Sequence, residues 1–445
     1  MLTPTSQDHP ELKVVDLFCG AGGLSEGFRA SGYSVIAGTD YDPDAVATYA
    51  RNFPEAAALC GDIRDPDLRA RLDEVTAEAD IIVGGPPCQG FSQVRNHTRL
   101  IDDPRNSLYR EFVSSVAHAQ PDAFVMENVP GMDQMSVKEQ VLTDLSLDGE
   151  YDVEAQLLDA ADFGVPQTRK RLFFLGVRKS LGVPTPQLSG TGVTSAVQLV
   201  RFPSESSSDE LTARYVVAAR PDEHGQRLGL ALADSENLTA VTVEQAIGDL
   251  VTLETGRRAE SMAVADLPAP SSAYQRLMRS GAPETFKNVS VPRSQADTLL
   301  RLAGIPAGGN HRDLPDHLLA RYLTGAKWGP HNGSGRLGRA HYYAYRRLHP
   351  DIWAWTLNTK GDSAYHWSDR RALSVREFAR LQSFPDRFVF TTDARRGPLP
   401  GRMSGGAAHS RYRQVGNAVP PLLAAAAAQA LREVLSSAKT ARLTA

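Results

Sequence analysis

Cysteine is scarce in this chain: Cys19, Cys60 and Cys88 are the only three among 445 residues, and no two are spaced as Cys-x-x-Cys. That argues against a disulfide scaffold and against a structural zinc built on cysteine pairs, and it fits a reducing compartment. No apolar run approaches the roughly 18 residues that a membrane span needs. The N-terminus, Met-Leu-Thr-Pro-Thr-Ser-Gln-Asp-His-Pro, has neither the basic start nor the apolar stretch of a secretory signal. A cytoplasmic protein with no membrane partner is the expectation. Charge of neither sign dominates. The net of −4 argues against wholesale coating of nucleic acid, although affinity for phosphates depends on local patches rather than on the global sum. One such patch is marked by an absence of acid: between His317 and Pro350 there is no Asp or Glu, while Arg321, Lys327, Arg336, Arg339, Arg346 and Arg347 all fall there. No internal repeat is visible.

What is present in the first part is an alternation of strand-like and helix-like stretches. Apolar runs occur at Lys13 to Phe18, Ser34 to Ala37, Asp80 to Val83, Asp122 to Met126 and Arg171 to Val177. This alternation predicts an α/β fold, a Rossmann-like, doubly wound and mostly parallel sheet. After about Arg178 the texture turns to Pro, Ser, Gly and Thr with scattered charge. A boundary is therefore expected near residue 185, giving a catalytic and cofactor-binding domain over 1–185. A second, irregular domain with a hinge would span 186–412. An alanine-rich helix, Ala424 to Leu435, is expected to return to the first domain, so that 413–445 completes it.

Asp16-Leu-Phe-Cys-Gly-Ala-Gly-Gly-Leu-Ser25 follows the first strand and opens a helix. Glycines at such a turn let backbone approach a ligand and leave helix N–H groups free, though a tight structural turn reads the same way. Asp40 ends the next strand about 20 residues on, the distance at which a carboxylate meets ribose hydroxyls. The loop is not GxxxxGK[ST], which disfavours a triphosphate, and its Phe-x-Gly-x-Gly-Gly form points to S-adenosylmethionine. Asp62 suits the adenine amino group or, equally, a solvated turn.

Gly84-Gly-Pro-Pro-Cys88-Gln-Gly-Phe-Ser92 ends the strand that contains Ile81-Ile-Val83. Cys88 thus sits on a loop at a strand's carboxyl end, where open α/β sheets keep their sites. A nucleophile belongs there; the alternative is a small buried hydrophobe. Glu127 ends another apolar strand, and a carboxylate is expensive to bury unless paired or protonated, so it lies at a site or at the sheet's rim. In Gln167-Thr-Arg169-Lys-Arg171 the alternate arginines project to one side.

Taken in order, these stretches resemble the motifs of the bacterial DNA (cytosine-5) methyltransferases. They are Asp-Leu-Phe-x-Gly-x-Gly-Gly, Pro-Pro-Cys-Gln-Gly-Phe-Ser, Glu127-Asn-Val and Gln-x-Arg-x-Arg, followed by Arg371 to Pro385 and Gln414-Val-Gly-Asn417-Ala-Val-Pro-Pro421. The resemblance implies Cys88 as nucleophile, Glu127 on the N3 edge of cytosine, and Arg169 and Arg171 supporting the base and the catalytic loop. It implies an S-adenosylmethionine pocket lined by Phe18, Gly20, Gly22, Gly23, Asp40, Tyr41, Asp62, Ile63, Pro86 and Asn417, with S-adenosylhomocysteine as product and no metal. Gln89 and Ser92 would touch DNA.

The reaction explains the residue types. Carbon 5 of cytosine is too weakly nucleophilic to take a methyl from a sulfonium until a thiolate adds at carbon 6. Drainage of charge through N3 asks Glu127 to hold a proton near neutral pH. The target must leave the duplex stack, which costs a few kcal/mol and calls for a DNA-binding second domain. Arg336, Arg339, Arg346 and Arg347, interleaved with Tyr342, Tyr343 and Tyr345, are the expected contacts; a solvated basic face is the alternative. By resemblance the partner is double-stranded DNA and the chain a monomer, with a cognate restriction endonuclease encoded nearby. An RNA cytosine-5 methyltransferase is disfavoured because no cysteine follows Cys88, and a non-catalytic DNA-binding regulator because Cys88, Glu127 and Arg171 are all intact.

Overall fold

The computed structural model describes residues 12–87, 108–135, 137–196, 240–250, 253–315, 317–318, 345–395 and 406–444. Its strands are β1 Lys13–Leu17, β2 Ser34–Asp40, β3 Ala57–Cys60, β4 Ile81–Gly84, β5 Ala123–Asn128, β6 Tyr151–Asp159 and β7 Lys170–Arg178. They form one sheet in the order β3-β2-β1-β4-β5-β7-β6. The pairs from β3 through β5 are parallel, and β7 runs antiparallel to both neighbours. The α/β, mostly parallel sheet expected from the apolar runs is therefore observed. β3 and β6 add strands that those runs do not mark. β6, Tyr-Asp-Val-Glu-Ala-Gln-Leu, alternates polar and apolar residues instead of running apolar, as suits an edge strand with one covered face.

The strand order reverses between β1 and β4, so the loops leaving their carboxyl ends diverge and open a crevice. The Gly-rich turn follows β1, and the Pro86-Pro87 stretch follows β4. The helices between strands begin on strong local signals. In α2, Pro43–Asn52, Asp42 accepts from the Asp44 amide at 3.0 Å; in α3, Pro66–Thr76, Asp65 caps; each helix has proline in its first turn. Successive β1 residues then point to opposite cores: Val14 packs with Leu24 and Phe28, whereas Val15 and Leu17 pack with Leu72, Phe112 and Phe124.

The C-terminal segment packs on the helix that follows the Gly-rich turn. Helix α1, Gly23–Ala30, lies against the helix Pro421–Thr444, and the Tyr33 hydroxyl donates to the Ala428 carbonyl at 2.8 Å. Gly27 permits this approach, because a Cβ there would stand 2.5 Å from both the Pro421 carbonyl oxygen and the Ala424 methyl. Gly27→Ala is expected to cost about 1–3 kcal/mol, since backbone cannot retreat as a side chain can. A lowered thermal midpoint checks this, and an unchanged one would place the C-terminal helix elsewhere.

Residues 240–395 add the helices Val243–Ile247, Ala273–Arg279, Ala296–Ala303 and Val375–Leu381 and an antiparallel pair of β8 Ser261–Ala263 with β9 Thr285–Lys287. The helix Val375–Leu381 opens on a capping box of Ser374 and Glu377, and every residue in it is buried. The arginines in and just before it are framework. Arg371 forks onto Glu377 at 2.9 and 2.8 Å, and Arg380 onto Asp386 at 2.8 and 2.7 Å. Arg376 donates to the carbonyls of Lys287, Pro385 and Phe388. Such pairs repay their desolvation only when every donor is used. Phe378, Leu381 and Phe384 share one apolar cluster with Val14, Phe28 and Leu431, so the 240–395 region and the sheet have a common core.

Candidate active site

The turn after β1 is held in a conformation that most residues resist. Phe18 has φ 58°, Gly20 φ 53° and Gly22 φ 98°. Left-handed backbone at a non-glycine residue costs free energy and persists only where the surroundings impose it. Here the Cys19 amide donates to the Thr39 carbonyl at 2.9 Å and the Gly20 amide to Asp40 Oδ2, also at 2.9 Å. Asp40 Oδ1 accepts from the Asp42 amide at 2.8 Å, so one carboxylate braces the turns after both β1 and β2. Gly22 and Gly23 are glycines by packing. A Cβ at Gly22 would meet the Phe53 ring at 2.5 Å, and one at Gly23 the Val419 carbonyl oxygen at 2.1 Å. At Gly20 a Cβ would meet nothing within 4 Å, which leaves open space over the turn.

The other expected cofactor residues differ in exposure. Tyr41 is 50% exposed, an aromatic face left uncovered at the end of β2. Ile63 is buried, and Asp62 is engaged by its neighbour Arg64, whose Nε and Nη2 reach the two carboxylate oxygens at 2.9 and 2.6 Å. Those hydrogen bonds hold the Asp62 carboxyl below its ordinary value. Asn417 is exposed at the end of the helix Ala407–Asn417. Asp16, which the motif contains but which carries no predicted role, lies fully buried beneath the turn. Its Oδ2 accepts from the Ser25 hydroxyl at 2.7 Å and amide at 3.2 Å, while among the described residues Oδ1 has no hydrogen-bond partner. Burial pushes this carboxyl up to about 7. A charged residue inside Lys-Val-Val-Asp-Leu was the available signal.

The second half of the site lies across β4, β5 and β7. Glu127 Oε1 pairs with Arg171 Nε at 2.7 Å. In the antiparallel register Glu127 faces Phe173, so Arg171 is its diagonal neighbour on the same side of the sheet. Burial raises the Glu127 carboxyl above its ordinary value even though Arg171 and Arg169 pull it down. Gly85 lies beside it, since a Cβ there would be 3.1 Å from Glu127 Oε2. The buried Asn128 amide donates to the Pro86 carbonyl at 3.1 Å, fixing the Pro-Pro loop to β5. Arg169 points inward at 2% exposure, with Nη2 on the Gly416 carbonyl at 2.8 Å and Nη1 on the Leu357 carbonyl at 3.3 Å. The arrangement offers a carboxyl able to hold a proton, a guanidinium beside it, and the loop that leads to Cys88.

The family described as C-5 cytosine-specific DNA methylase matches residues 12–433. The chain belongs to it. A Type II methyltransferase M.AgeI of Thalassovita gelatinovora is 30% identical over 96% of this chain and 100% of its own length. A Type II methyltransferase M.DdeI of Desulfomicrobium norvegicum is 33% identical over 94% of this chain and 88% of its own. The fold is also that of a solved E. coli prophage protein described as a DNA modification methyltransferase, with a TM-score of 0.64 at 24% identity, covering 96% of this chain and 100% of that one. The protein is therefore a DNA (cytosine-5-)-methyltransferase, and the family implies S-adenosylmethionine as its cofactor.

For the methylase, Cys88, Gln89, Ser92, Arg336 and Arg339 lie outside the described residues. Arg347 is a correction. It is 7% exposed, and its guanidinium donates to the carbonyls of His366, Leu302, Ile305 and Trp367, so it holds loops together from inside instead of meeting DNA. Run composition cannot separate one arginine that turns inward from neighbours that do not. Arg346, next to it, stacks over the Trp355 ring at 3.8 Å. Trp355 and Thr356 adjoin the arginine strand, where the Thr356 hydroxyl donates to the Thr168 carbonyl at 2.7 Å. No helix of the described residues is long and apolar enough to cross a membrane.

Proposed function

We propose that this methylase modifies carbon 5 of a cytosine flipped out of a specific double-stranded DNA sequence, through a covalent adduct of Cys88 at carbon 6. We assign it the modification role of a type II restriction-modification system, acting as a monomer beside a cognate endonuclease. The observation that carries the chemistry is the half-buried Glu127–Arg171 pair at 2.7 Å, set against Gly85 and tied through Asn128 to Pro86, two residues before Cys88. The M.AgeI and M.DdeI relatives, which carry type II names, support the biological role.

The residues present fit S-adenosylmethionine. Phe18, Gly20, Gly22, Gly23, Asp40, Tyr41, Asp62, Ile63, Pro86 and Asn417 would hold it, with Tyr41 offering a ring face for adenine. Asp16 Oδ1, which has no hydrogen-bond partner among the described residues, suits a ligand that brings positive charge or a proton. When bound, the cofactor supplies an electrophilic methyl on a sulfonium. The Cys88 thiolate adds to carbon 6, Glu127 donates its proton toward N3, and Arg171 orients Glu127. Carbon 5, now enamine-like, would take the methyl as the S–CH3 bond breaks and S-adenosylhomocysteine leaves; loss of the carbon 5 proton to a base then expels the thiolate, and N3 returns its proton to Glu127, restoring the ring. Arg346, stacked on Trp355, is the described candidate for a DNA contact.

Incubation with S-adenosylmethionine and unmethylated genomic DNA, followed by base-resolution mapping of 5-methylcytosine, tests this reading. Methylation is expected at one cytosine in a short recurring context. A folded, cofactor-binding protein that marks no DNA but methylates RNA, or neither, would overturn it.

A further inference from the structure

Two buried glutamine side chains form a one-way chain of donors between the 240–395 region and the helix end that carries Asn417. The Leu357 amide donates to Gln167 Oε1 at 2.8 Å; Gln167 Nε2 donates to the Leu381 carbonyl at 3.1 Å and to Gln382 Oε1. Gln382 Nε2 then donates to the carbonyls of Val415 at 3.2 Å and Ala418 at 2.7 Å. Both glutamines are fully buried. Their orientations follow from backbone partners of known polarity: carbonyls require the Gln382 nitrogen, and an N–H requires the Gln167 oxygen. Arg169 completes the grip through its bond to the Gly416 carbonyl, a cation at the negative end of that helix. Gly416 is a glycine because a Cβ would stand 2.4 Å from the Asn358 carbonyl oxygen.

The last carbonyls of a helix have no partner within it and must find one elsewhere. Here Gln382 and Arg169 take those at 416 and 418, and Gln382 adds a second donor to the Val415 carbonyl that the Ala418 amide already reaches, so the carbonyls on both sides of Asn417 are held while its own side chain is left exposed. We infer that Gln382 is a positioning residue for cofactor binding, acting through Asn417 without touching the cofactor. This rests on the reading of Asn417 as a cofactor residue. In a dry core such donor chains polarise one another, and removing one member strands the rest. The end of the helix then tilts, and the Asn417 amide leaves its place in the pocket.

The test is calorimetric binding of S-adenosylhomocysteine to the purified full chain without DNA, for wild type, Gln382→Met and Asn417→Ala. Methionine keeps the volume and loses both donors. Gln382→Met is expected to raise Kd about tenfold at unchanged stoichiometry, and in turnover to raise KM for S-adenosylmethionine with kcat at saturation within threefold. A residue that served folding alone would lower the stoichiometry and leave Kd of the folded fraction intact, which would overturn the inference. Weakening in Asn417→Ala alone would also overturn it while sparing the Asn417 reading. Unchanged Kd in both variants would remove that reading and the inference together. If Gln382→Met does not fold, Gln167→Met, which breaks the chain one step earlier, is expected to show the same Kd effect in smaller measure, and a wild-type Kd there would overturn the inference.

Discussion

Cys88→Ala is expected to lose methylation to below about one ten-thousandth of wild type, the scale on which removal of a catalytic nucleophile acts. The reason lies in the substrate. Without addition at carbon 6, carbon 5 of cytosine has no enamine character and cannot attack a sulfonium methyl, and no other cysteine can substitute. Cys19 is buried under the Gly-rich turn, and Cys60 ends β3 on the far side of β2 and β1. DNA binding and S-adenosylhomocysteine binding should survive, because the thiol contributes to neither. A second readout separates a nucleophile from a residue that only shapes the loop. Wild type should be trapped as a denaturant-resistant adduct on DNA carrying 5-fluorocytosine at the target, where no proton can leave carbon 5 after transfer. Cys88→Ala should form none. Undiminished turnover, or trapping that survives the substitution, would sink the mechanism.

Glu127→Gln is expected to lower kcat by about 10²- to 10⁴-fold, the span of a positioned acid. Glutamine keeps the shape and can still accept from Arg171, but it cannot give up a proton to N3. The pH dependence carries the finer expectation. Burial raises the Glu127 carboxyl, with Arg171 and Arg169 opposing, so the protonated form persists to a higher pH than a solvated glutamate would allow. The active form is the protonated one, so kcat should fall as pH rises through that raised value, and the fall should vanish in Glu127→Gln. Arg171→Ala should shift the same limb upward, since it removes a cation that favours the carboxylate. A profile for wild type that is flat across the neutral range, with Glu127→Gln within threefold of it, would show that N3 is not served by this residue.

Much of the framework is legible in the chain itself. The apolar runs at Lys13, Ser34, Asp80, Asp122 and Arg171 correspond to strands because a sheet covered on both faces needs continuous hydrophobicity there. β6 escaped that criterion, yet Tyr-Asp-Val-Glu-Ala-Gln-Leu shows the alternation of a half-covered strand, so its signal was present in a different period. The Gly-rich turn, Asp40 and Glu127 were legible because special backbone geometry and a carboxylate at the end of an apolar strand are costly unless something requires them.

Apart from Arg169 and Arg171, to which the motif resemblance gave roles, the arginines were not legible. Arg171, Arg347, Arg371, Arg376 and Arg380 look alike in sequence, but Arg171 pairs with Glu127, Arg347 and Arg376 chiefly gather backbone carbonyls, and Arg371 and Arg380 form buried forks with carboxylates. A guanidinium is solvated equally well by water and by a closed set of oxygens, and only the fold decides which set is offered.

The sequence by itself thus determined the order of motifs that marks the C-5 cytosine-specific DNA methylases. A thiol, a carboxyl and a glycine turn, each at the end of a strand, are set by local order along the chain. Tertiary structure alone decided the connections between distant segments: Gly27 against Pro421, Arg169 on Gly416, and Gln167 through Gln382 to Ala418. Those contacts join residues more than 200 positions apart in some cases, and they form because buried donors and acceptors must be satisfied wherever the folded chain brings them together, a condition that no local pattern encodes.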